Sequence, residues 1–186
     1  MSRSYRTEPK WSIAARRVRR DKHGVPVLPR IIERRPRIGD GHPIRKGLLT
    51  RLLRKLPVEL YYGLRLIEMR PRQGEVGRPF ASYSRRSKTI RLYSLPLTIH
   101  FPKLSSSDHH SLEMSEATVE PQVNGFLVSW KDSDAMGFWF YYWIFLHELG
   151  HHHRMQYPGK TGRPRRRSEE EFLAERERYW IGRRRF

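Results

Sequence analysis

The leucines of one short segment recur at the spacing of an α-helix. Five of them lie one to four residues apart on one side of a helical projection, and the segment stops at Pro57; they are Leu48, Leu49, Leu52, Leu53 and Leu56. This spacing turns one face of a helix toward a core, and a proline ends a helix because it lacks the amide donor. The pattern predicts a short amphipathic helix, followed by one or two further helical turns over residues 58–64.

A second pattern has a period of two. Residues 87–95 alternate apolar and polar side chains, with Ile90 and Leu92 on one face. This alternation is typical of a half-buried strand. Further strands are predicted at residues 64–69, 80–83 and 124–130, the second of these as the hairpin partner of 87–95. Residues 105–121, rich in Ser, His and acidic side chains, predict a loop. The mixture of helices and strands predicts an α+β domain.

A third segment is almost entirely apolar. Residues 138–146 form the longest apolar run, preceded by Asp134, which we expect to be the N-cap of a buried helix. Nine residues are about half the length that a membrane-spanning helix needs. Residues 1–20 are Arg-rich and lack the apolar core of a secretion signal. We therefore expect no membrane association and a cytoplasmic location.

The apolar run leads directly into the sequence His147-Glu148-Leu149-Gly150-His151. Two histidines four residues apart on a helix lie one turn apart on the same face, so both imidazoles can bind one zinc ion. Glu148 lies beside them and can take a proton from a zinc-bound water as a general base. The chain contains no cysteine, so histidine, aspartate and glutamate are the available metal ligands. This arrangement is typical of zinc peptidases.

Two histidines leave the zinc ion in need of a third protein ligand. No histidine follows His153, so a downstream carboxylate is expected. A helix is predicted from Ser168, because Glu171 stands at the capping-box position. Glu171 and Glu175 flank the apolar face of this helix one turn apart, and Glu169 falls within the apolar arc. Periodicity does not choose among them, and a Glu171 that caps Ser168 could not also reach zinc.

Together, His147-Glu148-Leu149-Gly150-His151 and Glu171-Phe172-Leu173-Ala174-Glu175 resemble the gluzincin metallopeptidases. Similar forms are found in the lethal-factor group, with its E-F-F-A-E helix, and in the ImmA and IrrE-like peptidases. The resemblance implies a small zincin-like domain with a short antiparallel or mixed sheet, an active-site helix and a glutamate helix. It implies one zinc ion held by His147, His151 and Glu171, with Glu148 as the general base. Glu175 would orient a metal-bound histidine.

The resemblance also implies a protein or peptide substrate. In such families an extended substrate pairs with the edge strand of the sheet, for which residues 90–93 are the predicted candidate. The residue that stabilises the oxyanion stays open, and each candidate has core packing or a solvated helix end as an alternative role. The candidates are Tyr157, Tyr179, His152 and His153.

Charge is distributed unevenly along the 186 residues, whose net charge is +19. Residues 1–100 carry +18, whereas residues 101–150, which include the apolar run and the histidine motif as far as Gly150, carry −5. Residues 1–44 have no sustained apolar face and predict a basic, disordered arm, followed by a metallopeptidase domain over 45–186. The charge supports an alternative function, a nucleic-acid-binding protein that acts through this arm and has a structural or vestigial metal site. A solvated tail would account for the same charge.

Overall fold

The computed structural model describes residues 27–72 and 79–156. Four of its strands form a mixed sheet: β1 (Arg30–Glu33), β2 (Leu66–Arg70), β3 (Ala81–Ser84) and β4 (Thr89–Tyr93). The strand order is β1-β2-β4-β3, so that β1, β2 and β4 run parallel and β3 runs antiparallel to β4. In this arrangement β3 lies at one edge of the sheet and β1 at the other.

Three further strands form a second, antiparallel sheet in the order β5-β7-β6. These are β5 (Thr98–Phe101), β6 (Thr118–Gln122) and β7 (Gly125–Ser129). Gly125 has a φ of 137°, and a Cβ there would collide with the Phe101 carbonyl of β5. The start of β7 therefore requires glycine, because both the backbone conformation and the close approach exclude a side chain.

The helical elements surround these sheets. They are α1 (Lys46–Lys55), α2 (Val58–Tyr61), α3 (Ser106–Met114), α4 (Ser133–Trp139), a π-helical segment (Phe140–Phe145) and α5 (Leu146–Gln156). The predicted leucine helix is confirmed as α1, with Leu49 and Leu53 fully buried. The predicted strands at 64–69, 80–83, 87–95 and 124–130 are confirmed as β2, β3, β4 and β7.

The predicted loop at 105–121 is wrong, because it contains α3 and β6. Helix α3 has little amphipathic pattern, so periodicity could not reveal it. Its start is set by a capping box in which Ser105 and Asp108 bond each other's backbone amides. Its buried face carries hydroxyls: Ser111 accepts the indole N–H of Trp139 and Ser115 that of Trp130, each at 3.2 Å. Beside these hydroxyls the same helix buries Leu112, so hydrogen bonds and apolar contact together hold this face.

The start of the apolar helix also differs from the prediction. Asp132, not Asp134, is the N-cap: its carboxylate accepts hydrogen bonds from the amides of Asp134 and Ala135. Both aspartates precede the apolar run, and the sequence alone does not distinguish them.

The described fold includes part of the segment that the sequence assigned to the basic arm. Strand β1 pairs in parallel with β2, Gly41 forms a β-bridge with Leu95, and Ile44 is buried. The folded body therefore begins before residue 45. Residues 1–26 lie outside the described residues, as does the predicted helix from Ser168.

The two sheets and their helices confirm an α+β fold, and the larger sheet is mixed. The core lies between this sheet and the apolar helix, where Phe140 and Phe145 are fully buried. No helix within residues 27–72 and 79–156 combines the length and the hydropathy that crossing a membrane requires.

Candidate metal centre

A π-helical segment immediately precedes the helix that carries the histidine motif. The sequence predicts one continuous helix from Asp134, but α4 and α5 are joined by the π-helical segment Phe140–Phe145. At its end the amide of Leu146 donates to the carbonyl of Tyr141, five residues earlier. A π-turn contains more residues than an α-turn, and such turns are frequent at functional sites. The segment therefore sets the direction in which the side chains of α5 point.

On α5 the two predicted metal ligands converge. Nε2 of His147 and Nε2 of His151 lie 3.0 Å apart, and their ring planes are nearly perpendicular. Zinc bound to two imidazole nitrogens at about 2.0–2.1 Å in tetrahedral geometry would hold them roughly 3.3 Å apart. A shift of a few tenths of an ångström is enough to reach that separation. The donor set and spacing therefore fit a zinc ion.

The two histidines stand without a third ligand among the residues of 27–72 and 79–156, where no group of three metal-binding side chains occurs. The predicted third ligand, Glu171, and its alternatives Glu169 and Glu175 lie outside the described residues. The choice among these carboxylates therefore stays a prediction.

Glu148, the predicted general base, lies between His147 and His151 in the sequence, and it is half-buried. Burial raises the pKa of its carboxyl to about 6, and a hydrogen bond from the backbone amide of Tyr83 offsets part of the rise. Tyr83 belongs to the edge strand β3, and α5 packs directly on that strand. The sheet edge and the candidate base are therefore neighbours.

His152 is fully buried and uses both ring nitrogens. Nε2 lies 2.9 Å from the carbonyl oxygen of Tyr62, and Nδ1 lies 3.0 Å from the hydroxyl of Tyr83. A carbonyl can only accept, so Nε2 carries the proton and Nδ1 accepts from the tyrosine. Burial lowers the pKa of His152, the Tyr62 carbonyl acts in the opposite direction, and the charges of Lys88 and His153 lower it further. The ring is a neutral link between α5, β3 and the end of α2.

This geometry favours core packing for His152 over the alternative role at the oxyanion. His153, the next residue, is half-buried and remains a candidate for stabilising the oxyanion. Tyr157 and Tyr179 lie outside the described residues. Nothing in the sequence pointed to Tyr83 or Tyr62 as partners of the helix, because hydrogen bonds across such separations leave no periodic signal.

The predicted substrate strand is wrong in its position within the sheet. Residues 90–93 lie in β4, which has β2 on one side and β3 on the other. The strand beside Glu148 with an edge position is β3. The alternating pattern predicts this hairpin, but the position of its strands in the sheet depends on the parallel pairing of β2 with β4, which joins segments distant in sequence.

Comparison with protein-family models, curated proteins and solved structures finds no match to this chain. The interpretation of the site therefore depends on its own residues and their geometry.

Proposed function

We propose that the protein is a zinc-dependent peptidase of the gluzincin type. The observation that carries this proposal is the convergence of the His147 and His151 Nε2 atoms at 3.0 Å beside the half-buried carboxylate of Glu148. A perturbed carboxyl next to a pair of metal-binding side chains is more typical of a catalytic site than of a solvated helix end.

In the proposed reaction His147, His151 and Glu171 hold the ion. When bound, zinc polarises the scissile carbonyl and lowers the pKa of a water molecule at the site. Glu148, with a pKa of about 6, is mostly ionised at neutral pH and accepts the proton of the attacking water. It then donates this proton to the leaving amine. The backbone amide of Tyr83 favours the ionised form of this carboxyl, because its hydrogen bond lowers the pKa against the effect of burial.

The edge strand supports the same proposal from the substrate's side. An extended peptide that adds to a sheet edge gains main-chain hydrogen bonds without a sequence requirement. Because β3 lies at the edge and Tyr83 contacts Glu148, a peptide bound along β3 would pass the candidate base.

The direct test combines metal analysis with a proteolysis screen of the full chain. We expect about one zinc ion per wild-type chain, retention of zinc with loss of cleavage in Glu148→Gln, and loss of zinc in His147→Ala and His151→Ala. His110→Ala, an exposed histidine on α3, is the matched control and should change neither readout. A wild-type protein that binds no zinc would overturn the proposal.

A further inference from the structure

Four cationic side chains meet at one end of the larger sheet: Arg65, Arg85, Arg86 and Lys88, called here the basic cluster. Arg65 immediately precedes β2, and the other three lie in the turn from β3 to β4. The amide of Arg65 donates to the carbonyl of Lys88 at 2.9 Å, which joins the two loops. All four residues are exposed.

The basic cluster lies beside the candidate catalytic centre. Tyr83, whose amide contacts Glu148, lies in β3, and Arg85 follows two residues later, directly after the end of that strand. Two residues of extended chain span about 7 Å. The charge of Lys88 acts on His152 of α5, and that of Arg85 acts on Tyr83. The cluster therefore flanks the site at the point where β3 ends.

None of the four members of the cluster forms an ion pair with a carboxylate of the described residues. Glu68, in the middle of β2, is already paired with Arg34 and Arg70, at 2.9 and 2.7 Å. Asp40 lies at the opposite end of the sheet from the cluster, because its partners Ser94 and Arg72 follow β4 and β2.

Lys88 adds a further observation. Its φ of 50° lies in the left-handed region, where glycine or asparagine is favoured. A lysine at this position keeps a cation next to the site despite an unfavourable backbone conformation.

We propose that the basic cluster binds acidic residues of the peptide substrate, two to four positions from the scissile bond. This inference rests on the proposed peptidase function and assigns a substrate class to it. Clustered cations without partners attract carboxylates through charge complementarity. The two- and three-residue separation of Arg85 and Arg86 from Tyr83, at the end of β3, sets the spacing to the scissile bond. The same cations could contact phosphates of a nucleic acid, and the test separates the two partners.

The test uses the full chain and two matched fluorogenic peptides. One carries Asp and Glu two to four positions from the cleavage site, and the other carries Asn and Gln at the same positions. In the cluster variant Arg85→Glu and Arg86→Glu are combined with Lys88→Asn, since asparagine suits the left-handed backbone. The control variant carries Arg35→Glu and Arg37→Glu, two exposed arginines in the loop after β1, at the opposite edge of the sheet.

At low salt we expect wild type and control variant to cleave the acidic peptide with a kcat/KM about tenfold higher than that for the matched Asn and Gln peptide. This preference should decrease as added salt screens the charges. The cluster variant should lose the preference while keeping its zinc. A wild type without preference, or a control that loses it equally, would overturn the inference.

If the protein cleaves no peptide, the proposed function is refuted. The inference about the basic cluster is then tested separately by measuring peptide binding. Fluorescence anisotropy of a labelled acidic peptide on Glu148→Gln should show affinity that the added cluster substitutions reduce about tenfold. Absence of such binding overturns the inference. The inference is also overturned if the cluster substitutions reduce the affinity for a labelled DNA oligonucleotide but leave the affinity for the acidic peptide unchanged.

Discussion

The hydroxyl of Tyr83 lies 3.0 Å from Nδ1 of His152, and this hydrogen bond joins the edge strand β3 to the motif helix α5. The two rings pack edge to face, with centroids 5.4 Å apart. The backbone amide of the same tyrosine contacts Glu148. One residue of the strand therefore positions both the candidate base and the helix that carries it.

Tyr83→Phe should destabilise the protein, because it leaves the Nδ1 acceptor of a fully buried histidine without its donor. A buried polar group that loses its partner costs about 1–3 kcal/mol. Urea unfolding followed by circular dichroism measures this loss. Tyr93→Phe, a half-buried tyrosine on the neighbouring strand β4, is the control and should cost less. Equal losses in the two variants would contradict a special role for the Tyr83 hydroxyl.

The two candidate carboxylates of the C-terminal segment should differ in their effect on zinc. If Glu171 is the third ligand, Glu171→Gln should release the metal in a dialysed sample. Glu175→Gln should weaken zinc affinity only about 10- to 100-fold, which is typical of a group that orients a ligand. Competition with a fluorescent chelator measures both affinities. The reverse ranking would assign the ligand role to Glu175.

The π-helical segment should tolerate a one-residue deletion that the flanking helix does not. Deletion of Ile144 lets the wide turn contract to an α-turn, so that α4 and α5 keep their orientations. Deletion of Ala135 in α4 rotates the residues on one side of the deletion by about 100° relative to the other. We expect zinc binding to survive the first deletion and to fail in the second. Zinc content and thermal unfolding of both variants check this.

The ion pairs of the buried Glu68 with Arg34 and Arg70 predict an acid-dependent loss of stability. Burial acts to raise the pKa of Glu68, but the hydrogen bonds and charges of Arg70 and Arg34 outweigh it and hold the pKa below its ordinary value of 4.5. Because the folded state binds the proton less readily, this stabilisation is fully present above pH 4.5 and is lost as the pH falls through the folded pKa.

Urea unfolding of wild type and Glu68→Gln between pH 6 and 3 tests this expectation. The difference in their free energies of unfolding should shrink toward the acid end of the range. Glu33→Gln, an exposed glutamate on β1, is the control and should differ little from wild type throughout. A pH-independent difference between wild type and Glu68→Gln would contradict the assignment.

Local patterns predicted many of the elements, and the failures have a common cause. Helix α1 and strand β4 were placed correctly because each buries one side at a regular period. Strands β1 and β5 are only four residues long and pair with strands distant in sequence, whereas β3, equally short, could be recognised as the hairpin partner of β4. Helix α3 buries the hydroxyls of Ser111 and Ser115 beside a single leucine, Leu112, so its inward face shows little apolar pattern.

The candidate site divides in the same way. His147, Glu148 and His151 could be selected from the sequence, because their spacing on a helix determines that the two imidazoles meet. Tyr83 could not be selected, because it lies 69 residues from His152 and reaches it only through the packing of β3 against α5. The choice of β3 rather than β4 as the edge depends on strand order, a property of the whole sheet.

The sequence by itself thus determined the donor atoms: two histidines one helical turn apart, a glutamate between them and no cysteine to compete. Covalent spacing is enough for that, since neighbours on one helix need no other part of the chain to meet. Tertiary structure decided the environment of these atoms. It buried Glu148 enough to raise its pKa to about 6, tied His152 to Tyr83, and brought Arg65 and Lys88 together beside them. Desolvation and long-range hydrogen bonds exist only once distant segments pack, so no local pattern contains them.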